Sequence, residues 1–368
     1  MSHLRTIGLG TITGTVSNVV SLGAGIITVP LLVRALGTDA YGLLGVVSSV
    51  VGFVGMADLG LASTLMNAMS YAKAREDYGA VKGLYSGGLL VYTPLMLALF
   101  CVAAFVVYAP WFSLAKLLSI PPALEGVAEL TVLIMLGYTM MNAFWGGVVK
   151  AVYHGMNDVA VYNTIQTAYN VIFALVFIAY LLWGDVTLFG VAFVQGAGAF
   201  VRLVIQHIIA KRRYPWLSFV MSTKSVQSVR PLLQYSAVLF LSTASTIILE
   251  RSDNIVIAHF AGLTAVAVYS LAYKLFYLPS AMLPIVTASA PAVAMLYEKK
   301  DWEALSRFYR QILRANIIVK FAVFSFLAVF AREIITVWVG RDLFAGSATV
   351  IAIFGAFMLF VWNGSHAL

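Results

Sequence analysis

The sequence predicts an all-α polytopic membrane protein of about ten transmembrane helices in two parallel-repeat bundles, the second of them incomplete. Three observations carry that expectation. Of the 368 residues, 61% are hydrophobic and only 10% charged, against roughly 45–50% and about 25% in soluble chains. The apolar residues gather in runs long enough to cross a bilayer as helix, which takes about 20 residues. Segments about 225 residues apart also resemble one another, the mark of an internal repeat.

Ten runs bounded by charge, proline or polar clusters follow in order: 7–33, 41–69, 85–108, 127–152, 159–183, 188–210, 232–258, 263–295, 317–339 and 348–361. The first is too long for the apolar core of a signal peptide and leads directly into Arg34, so it reads as a span. The last is short for one. The connections after Leu36, Trp183 and Ala258 are only a few residues, and the stretch 109–126 is too small for a soluble domain. Cys101 is the single cysteine, which excludes an intrachain disulfide and a cysteine-based zinc site.

Charge placement orients the chain. The formal net charge is +8, from 23 Lys plus Arg against 15 Asp plus Glu. With the N-terminus inside, the cytoplasmic loops hold Arg5, Lys73, Arg75, Lys82, Lys150, Lys211, Arg212, Arg213, Lys224, Arg230, Lys299, Lys300, Arg307, Arg310 and Arg314. The other side holds only Arg34, Lys116, Arg332 and Arg341. Short cytoplasmic loops retain cations in this way, so the basic excess is a topology signal and predicts no nucleic-acid partner.

The repeat pairs Tyr71-Ala-Lys-Ala-Arg-Glu-Asp-Tyr78 with Tyr297-Glu-Lys-Lys-Asp-Trp302, and the turn 35–43 with 261–271. Six spans lie within one offset, and an even number gives copies of the same orientation. The predicted organisation is a six-helix bundle over 1–210, a basic cytoplasmic linker over 211–230, and a second bundle of four helices over 231–368, as in a lobe or a fragment lacking two helices. Leu296, Trp302, Leu305, Tyr309 and Ile312 stand at helical spacing among cations. They predict a short helix lying in the cytoplasmic interface against anionic lipid heads, or else a solvated connector.

Several of these segments are familiar. Val29-Pro-Leu-Leu-Val-Arg-Ala-Leu-Gly-Thr-Asp-Ala-Tyr-Gly-Leu43, Asp58-Leu-Gly-Leu61, Asp253-Asn-Ile-Val-Ile257 and Val268-Tyr-Ser-Leu-Ala-Tyr-Lys-Leu275 resemble the bacterial polysaccharide-export (O-antigen, lipid-linked oligosaccharide) flippases. These belong to the multidrug/oligosaccharidyl-lipid/polysaccharide exporter superfamily. The resemblance runs in order along essentially the whole chain. It implies two bundles around a central cavity that moves an undecaprenyl-pyrophosphate-linked oligosaccharide from the cytoplasmic to the outer leaflet of the inner membrane. It also implies polysaccharide polymerase and chain-length proteins as partners beside membrane lipids, and no cofactor. Members usually carry more spans than the ten counted here.

An ionisable residue inside the membrane is costly and faces a cavity, a partner or the bundle interior. Glu250, Arg251 and Asp253 stand about two turns from the outer end of the seventh run, and Lys274 about three turns into the eighth, at similar depth. Arg251 and Lys274 are therefore expected to present positive charge to a diphosphate, with Glu250 and Asp253 positioning them or binding a coupling cation. The alternative is a self-neutralised cluster that joins two helices. Asp58, without a cationic neighbour in sequence, is a candidate ion-coupling or charge-pairing residue. Arg34 is an interface anchor or meets the diphosphate on exit. Lys150, Arg202 and Lys320 lie close enough to the cytoplasmic ends for their stems to reach water.

Asn18, Asn67, Asn142, Asn163, Asn170 and Gln195 are amides of the kind that join membrane helices and that a sugar cavity needs. Gly10 with Gly14, and Gly42, Gly45, Gly52 and Gly55, point to close helix packing. Enzyme motifs are lacking: the sequence contains no HExxH, no GK[ST] phosphate loop and no GxSxG, and its five histidines are scattered. The leading expectation is a flippase. A cation-coupled multidrug exporter of the same superfamily is the alternative, and a membrane polysaccharide polymerase or ligase, which needs a large outer loop, the more distant one.

Overall fold

The structure is a computed structural model that describes residues 2–54, 60–109, 118, 120–282, 300–340, 349–350 and 353; side chains are described for most of these, though not for Glu250. Every regular element among the described residues is helical. In chain order they are α1 (Ser2–Leu36), α2 (Thr38–Val54), α3 (Leu61–Ala74), α4 (Tyr78–Val107), α5 (Pro122–Met141), α6 (Gly147–Gly155), α7 (Val159–Trp183), α8 (Leu188–Arg213), α9 (Thr223–Val229), α10 (Leu232–Met282), α11 (Trp302–Val329) and α12 (Ala331–Trp338). A π-helical turn, Asn142–Gly146, joins α5 to α6.

Seven described stretches are long and apolar enough to cross a membrane. Their outward faces carry side chains that water would not tolerate, such as Phe105 on α4, 64% exposed, and Leu175 on α7, also 64% exposed. Aromatic residues stand at the ends: Tyr108 and Trp183 on one side, Tyr71 and Trp302 on the other, all exposed. That is the belt expected where hydrocarbon meets head groups. The chain is a multi-pass membrane protein. The tenth run, 348–361, lies outside the described residues except at 349, 350 and 353.

Three elements differ from the sequence expectation. The run 41–69 is two helices, because Gly60, at φ 71°, opens α3 in the left-handed region and ends any continuous rod from α2. The short interfacial helix expected around 296–314 is the first part of α11, which runs unbroken from Trp302 to Val329; no glycine or proline interrupts that stretch. α8 extends to Arg213 and α9 packs on α4, so the segment 211–230 is largely ordered against the first bundle. A Cβ on Gly87 would lie 2.0 Å from the Ser225 carbonyl oxygen, which shows how closely α9 sits.

α10 is 51 residues long but is not one rod. Gly262 (φ 79°, ψ 176°) breaks it. The Tyr269 hydroxyl donates to Asp253 and the Ser270 hydroxyl to Asn254 Oδ1 (3.4 Å) across a separation of 16 residues. A straight helix would hold such residues ~24 Å apart, so the two arms fold back on each other as a hairpin. The expected glycine packing on α2 seats this hairpin. A Cβ on Gly42 would meet the Leu263 carbonyl at 2.0 Å, and one on Gly45 would meet Ser270 Oγ at 2.7 Å. Asn254 Nδ2 donates to Ser49 Oγ (2.9 Å) and the Thr264 hydroxyl to Asp39 Oδ1 (2.7 Å). Apolar burial gives helices no reason to associate in lipid, so this close contact and these hydrogen bonds are what hold the hairpin on α2.

The repeat recurs in backbone detail. Glu76 (φ 57°) and Lys300 (φ 55°) are left-handed, and each precedes an aspartate that caps the next helix. Asp77 (φ −86°, ψ 78°) accepts from Ala80 N at 2.8 Å. Asp301 (φ −86°, ψ 79°) accepts from Ala304 N at 3.0 Å. The turns at Gly37 (φ 81°) and Gly262 (φ 79°) correspond in the same way. Asn157 (φ 58°) before Asp158 is a further left-handed residue followed by aspartate, which the sequence comparison did not reveal.

Candidate functional site

Two adjoining cavities open between the first bundle and the later helices. The larger, about 560 Å³, is walled by α1, α5, the π turn, α7 and α8, and closed by Tyr273 and Lys274 of α10 and Trp338 of α12. The smaller, about 280 Å³, lies among α2, α5, α8 and both arms of α10. Leu32, Gln195, Tyr273 and Lys274 border both, so Lys274 stands at their junction.

Lys274 Nζ donates to the Tyr41 hydroxyl at 3.2 Å and sits 5.4 Å from the Tyr41 ring centroid. Arg251 borders the smaller cavity with its stem over Gly52, where a Cβ would come within 3.4 Å of Arg251 Cδ. A glycine there leaves room for the arginine. Both cations are exposed to the cavity space, and neither forms an ion pair within 4 Å among the described residues. The expected pairing of these cations with Asp253 is not what the geometry shows: the Asp253 carboxylate accepts the Tyr269 hydroxyl, which joins the arms of the hairpin. Arg34 is exposed in the last turn of α1 and borders neither cavity. Asp58 and the Glu250 side chain lie outside the described residues.

Sequence reasoning missed Arg202. Expected to reach water along its own stem, it instead points into the larger cavity, where its Nη2 donates to Asn142 Oδ1 and its guanidinium lies 5.4 Å from the Tyr169 ring centroid. Gln195, Ala199 and Arg202 are at i, i+4 and i+7 on α8, one helical face, and that spacing was the available signal. Lys320 also fails to reach water; it is buried in α11, at 6% exposure. Lys150 is exposed as expected.

The polar side chains around the larger cavity form a network. Asn170 Nδ2 donates to Ser21 Oγ (2.7 Å), Gln166 Nε2 to Asn170 Oδ1 (3.0 Å) and Gln206 Nε2 to Gln166 Oε1 (3.3 Å), which ties α1, α7 and α8 together. Tyr138 donates to Gln195 Oε1 (3.0 Å). Trp338 Nε1 donates to the Ile26 carbonyl at 2.7 Å. Ile26 is four residues before Pro30, which lies inside α1 and cannot supply the helical N–H that this oxygen would otherwise accept.

Away from the cavities, Asp158 accepts from Arg213 Nε (2.6 Å) and Nη2 (3.0 Å) and from the Tyr214 hydroxyl. Burial by itself raises the Asp158 carboxyl. The Arg213 and Tyr214 hydrogen bonds, with the charges of Arg213 and Lys73, outweigh it and hold the carboxyl below its ordinary range.

Apolar helical spans enclosing polar, cation-bearing cavities of ligand size define a polytopic helical membrane protein with an interior binding space. Residues 7–297 match the family model described as polysaccharide biosynthesis protein, and the chain belongs to that family. A relative from Bacillus subtilis (strain 168), described as uncharacterized membrane protein EpsK, is 21% identical over 312 residues, covering 84% of this chain and 61% of its own. The chain thus spans less than two thirds of that relative's length. Among solved structures, the inward-facing form of a multidrug resistance MATE family transporter of the MOP superfamily aligns with a TM-score of 0.71 at 15% identity, over 99% of this chain and 82% of that one. A MOP superfamily transporter from Pyrococcus furiosus, for which a reversed polarity of the binding pocket is described as suggesting a different function, aligns with a TM-score of 0.64 at 14% identity, over 97% and 79%. At these identities the structures establish a shared fold.

Proposed function

We propose that the protein flips an undecaprenyl-diphosphate-linked oligosaccharide from the cytoplasmic to the outer leaflet of the inner membrane for surface polysaccharide synthesis. The observation that carries this reading is the polarity of the paired cavities. Arg202, Arg251 and Lys274 border them, and no Asp or Glu does among the described residues. Cations bordering a half-enclosed space whose described lining holds no carboxylate favour an anion, and a diphosphate supplies one. A cationic drug would meet the opposite of what it needs, so the multidrug reading is the weaker.

In this mechanism Lys274, with Arg251, receives the diphosphate at the junction, the lipid tail stays in the bilayer, and the bundle 231–368 rocks against the bundle 1–210, which carries the segment 211–230 with it. Arg34 meets the head group on exit, while Asp58 and Glu250 couple the movement to an ion gradient or the membrane potential. The N-terminus is cytoplasmic, and a polymerase and a chain-length protein act on the product.

The gene should restore surface polysaccharide in a flippase-deficient strain and clear the inward-facing lipid-linked sugar that such a strain accumulates. Lys274→Ala and Arg251→Ala should each lower export about 10- to 100-fold at unchanged protein level, the loss of a charge-assisted hydrogen bond. A protein that restored nothing and instead conferred resistance to cationic dyes would end the flippase reading.

A further inference from the structure

The larger cavity has a wall that diphosphate binding does not explain. Tyr169, Phe173 and Phe177 recur every four residues along α7 and all border the cavity. Their rings follow one another with centroids 5.5 and 5.7 Å apart and planes 17° and 11° from parallel. Phe177, at 5% exposure, anchors the series in the core, and the half-buried Tyr169 and Phe173 carry it to the cavity. A Cβ on Gly198 of α8 would fall 2.3 Å from Phe173 Cε2 and 2.7 Å from the Tyr169 hydroxyl, so that glycine exists where the rings lean. At the lower end the Arg202 guanidinium lies over the Tyr169 ring.

Beside this apolar strip stand neutral amides, Asn142, Asn170 and Gln195; each is oriented by the protein hydrogen bonds it already makes, and an amide carries a second proton and a second lone pair for a ligand. Fixed aromatic surface next to amides is the chemistry that recognises a pyranose. The apolar C–H face of the sugar lies on a ring whose ordering cost is already met, and its hydroxyls exchange donors and acceptors with amides. A diphosphate needs neither, and a lipid tail needs no amides. The volume, about 560 Å³, falls in the range of ~300–1,000 Å³ usual for bound small ligands.

We infer that the aromatic face of α7 is a glycan subsite beside the cationic junction at Lys274, in the same cavity, and that it makes transport depend on the length of the attached sugar chain. This rests on the flippase reading above: the junction holds what every substrate shares, and the α7 wall holds what distinguishes one substrate from another.

The test uses the full chain in proteoliposomes with two probes, undecaprenyl diphosphate carrying one N-acetylhexosamine and the same lipid carrying a pentasaccharide. The double variant Phe173→Leu/Phe177→Leu, which keeps apolar bulk at both positions, should slow the pentasaccharide probe about tenfold and the single-sugar probe measurably less. Equal slowing of both probes, or of neither, overturns the subsite. Lys274→Ala separates the two ideas, since it should slow both probes alike. If it slows neither, the flippase reading fails whatever the aromatic variants do. In the parental protein, added free pentasaccharide should compete with the pentasaccharide probe; absence of competition at millimolar concentration also counts against the subsite, without requiring any variant to fold.

Discussion

Asp158 draws two hydrogen bonds from Arg213 and one from Tyr214, and those neighbours fix both its charge and a pH dependence. Its carboxyl is held below the ordinary range, so the stability it contributes is complete above the unfolded carboxylate value, about 3.9, and is lost as pH falls through the lower folded value. With the Arg213 side chain 46% exposed and that of Asp158 24%, solvent screening limits the contribution to about 1 kcal/mol. Asp158→Asn should therefore lower the melting temperature in detergent at pH 7, and the difference from the parent should shrink as the pH approaches 3. A gap that stayed constant would assign the effect to packing. Lys274 and Arg251 were legible in the sequence because a cation deep in an apolar run has few reasons to be there. Arg202 and Lys320 were not, because depth along the helix axis was counted while the face each residue occupies was not. The aromatic wall was hidden by its chemistry: Phe and Tyr in an apolar span look the same whether they face lipid or a cavity.

Helix pairs show the same division between what spacing reveals and what it hides. The glycines of α2 announced close packing, and the structure supplies the partner, the α10 hairpin. Gly42→Ala should cost about 1–3 kcal/mol, since its Cβ would meet a backbone carbonyl that cannot rotate away. Gly23→Ala, with nothing within 4 Å of the added carbon, should be neutral or stabilising by up to about 1 kcal/mol in the same thermal assay. The break in the run 41–69 and the continuity of α11 were not legible, because apolar content reports how much helix there is and not where it stops. Pro30 was visible, but the group that answers it was not: Trp338 lies over 300 residues away and supplies the N–H that the Ile26 carbonyl lacks. Trp338→Phe should cost about 1 kcal/mol in the parental protein and less in a Pro30→Ala background, where the helix supplies its own donor. A double-mutant cycle by thermal unfolding reads the coupling directly.

For the whole molecule, the strongest sequence signals were apolar content, which set the class, and the sorting of lysine and arginine, which predicts orientation. That orientation can be tested with single cysteines in a Cys101→Ser background. A membrane-impermeant maleimide should modify Asp185→Cys in intact cells and Lys224→Cys only after permeabilisation; the reverse pattern would place the N-terminus outside. The repeat was legible as a few matched residues, and the backbone shows why those residues recur. Glu76-Asp77, Asn157-Asp158 and Lys300-Asp301 are turns at one face of the membrane, and the first two touch through Lys73 Nζ, which donates to the Met156 carbonyl. At Asp77 and Asp301 the aspartate closes the start of its helix with its own side chain. Each cap bond joins residues three apart in sequence, so it needs no later part of the chain. The start of α4 can therefore be capped as soon as its first turn is made, before the helices that follow it are synthesised.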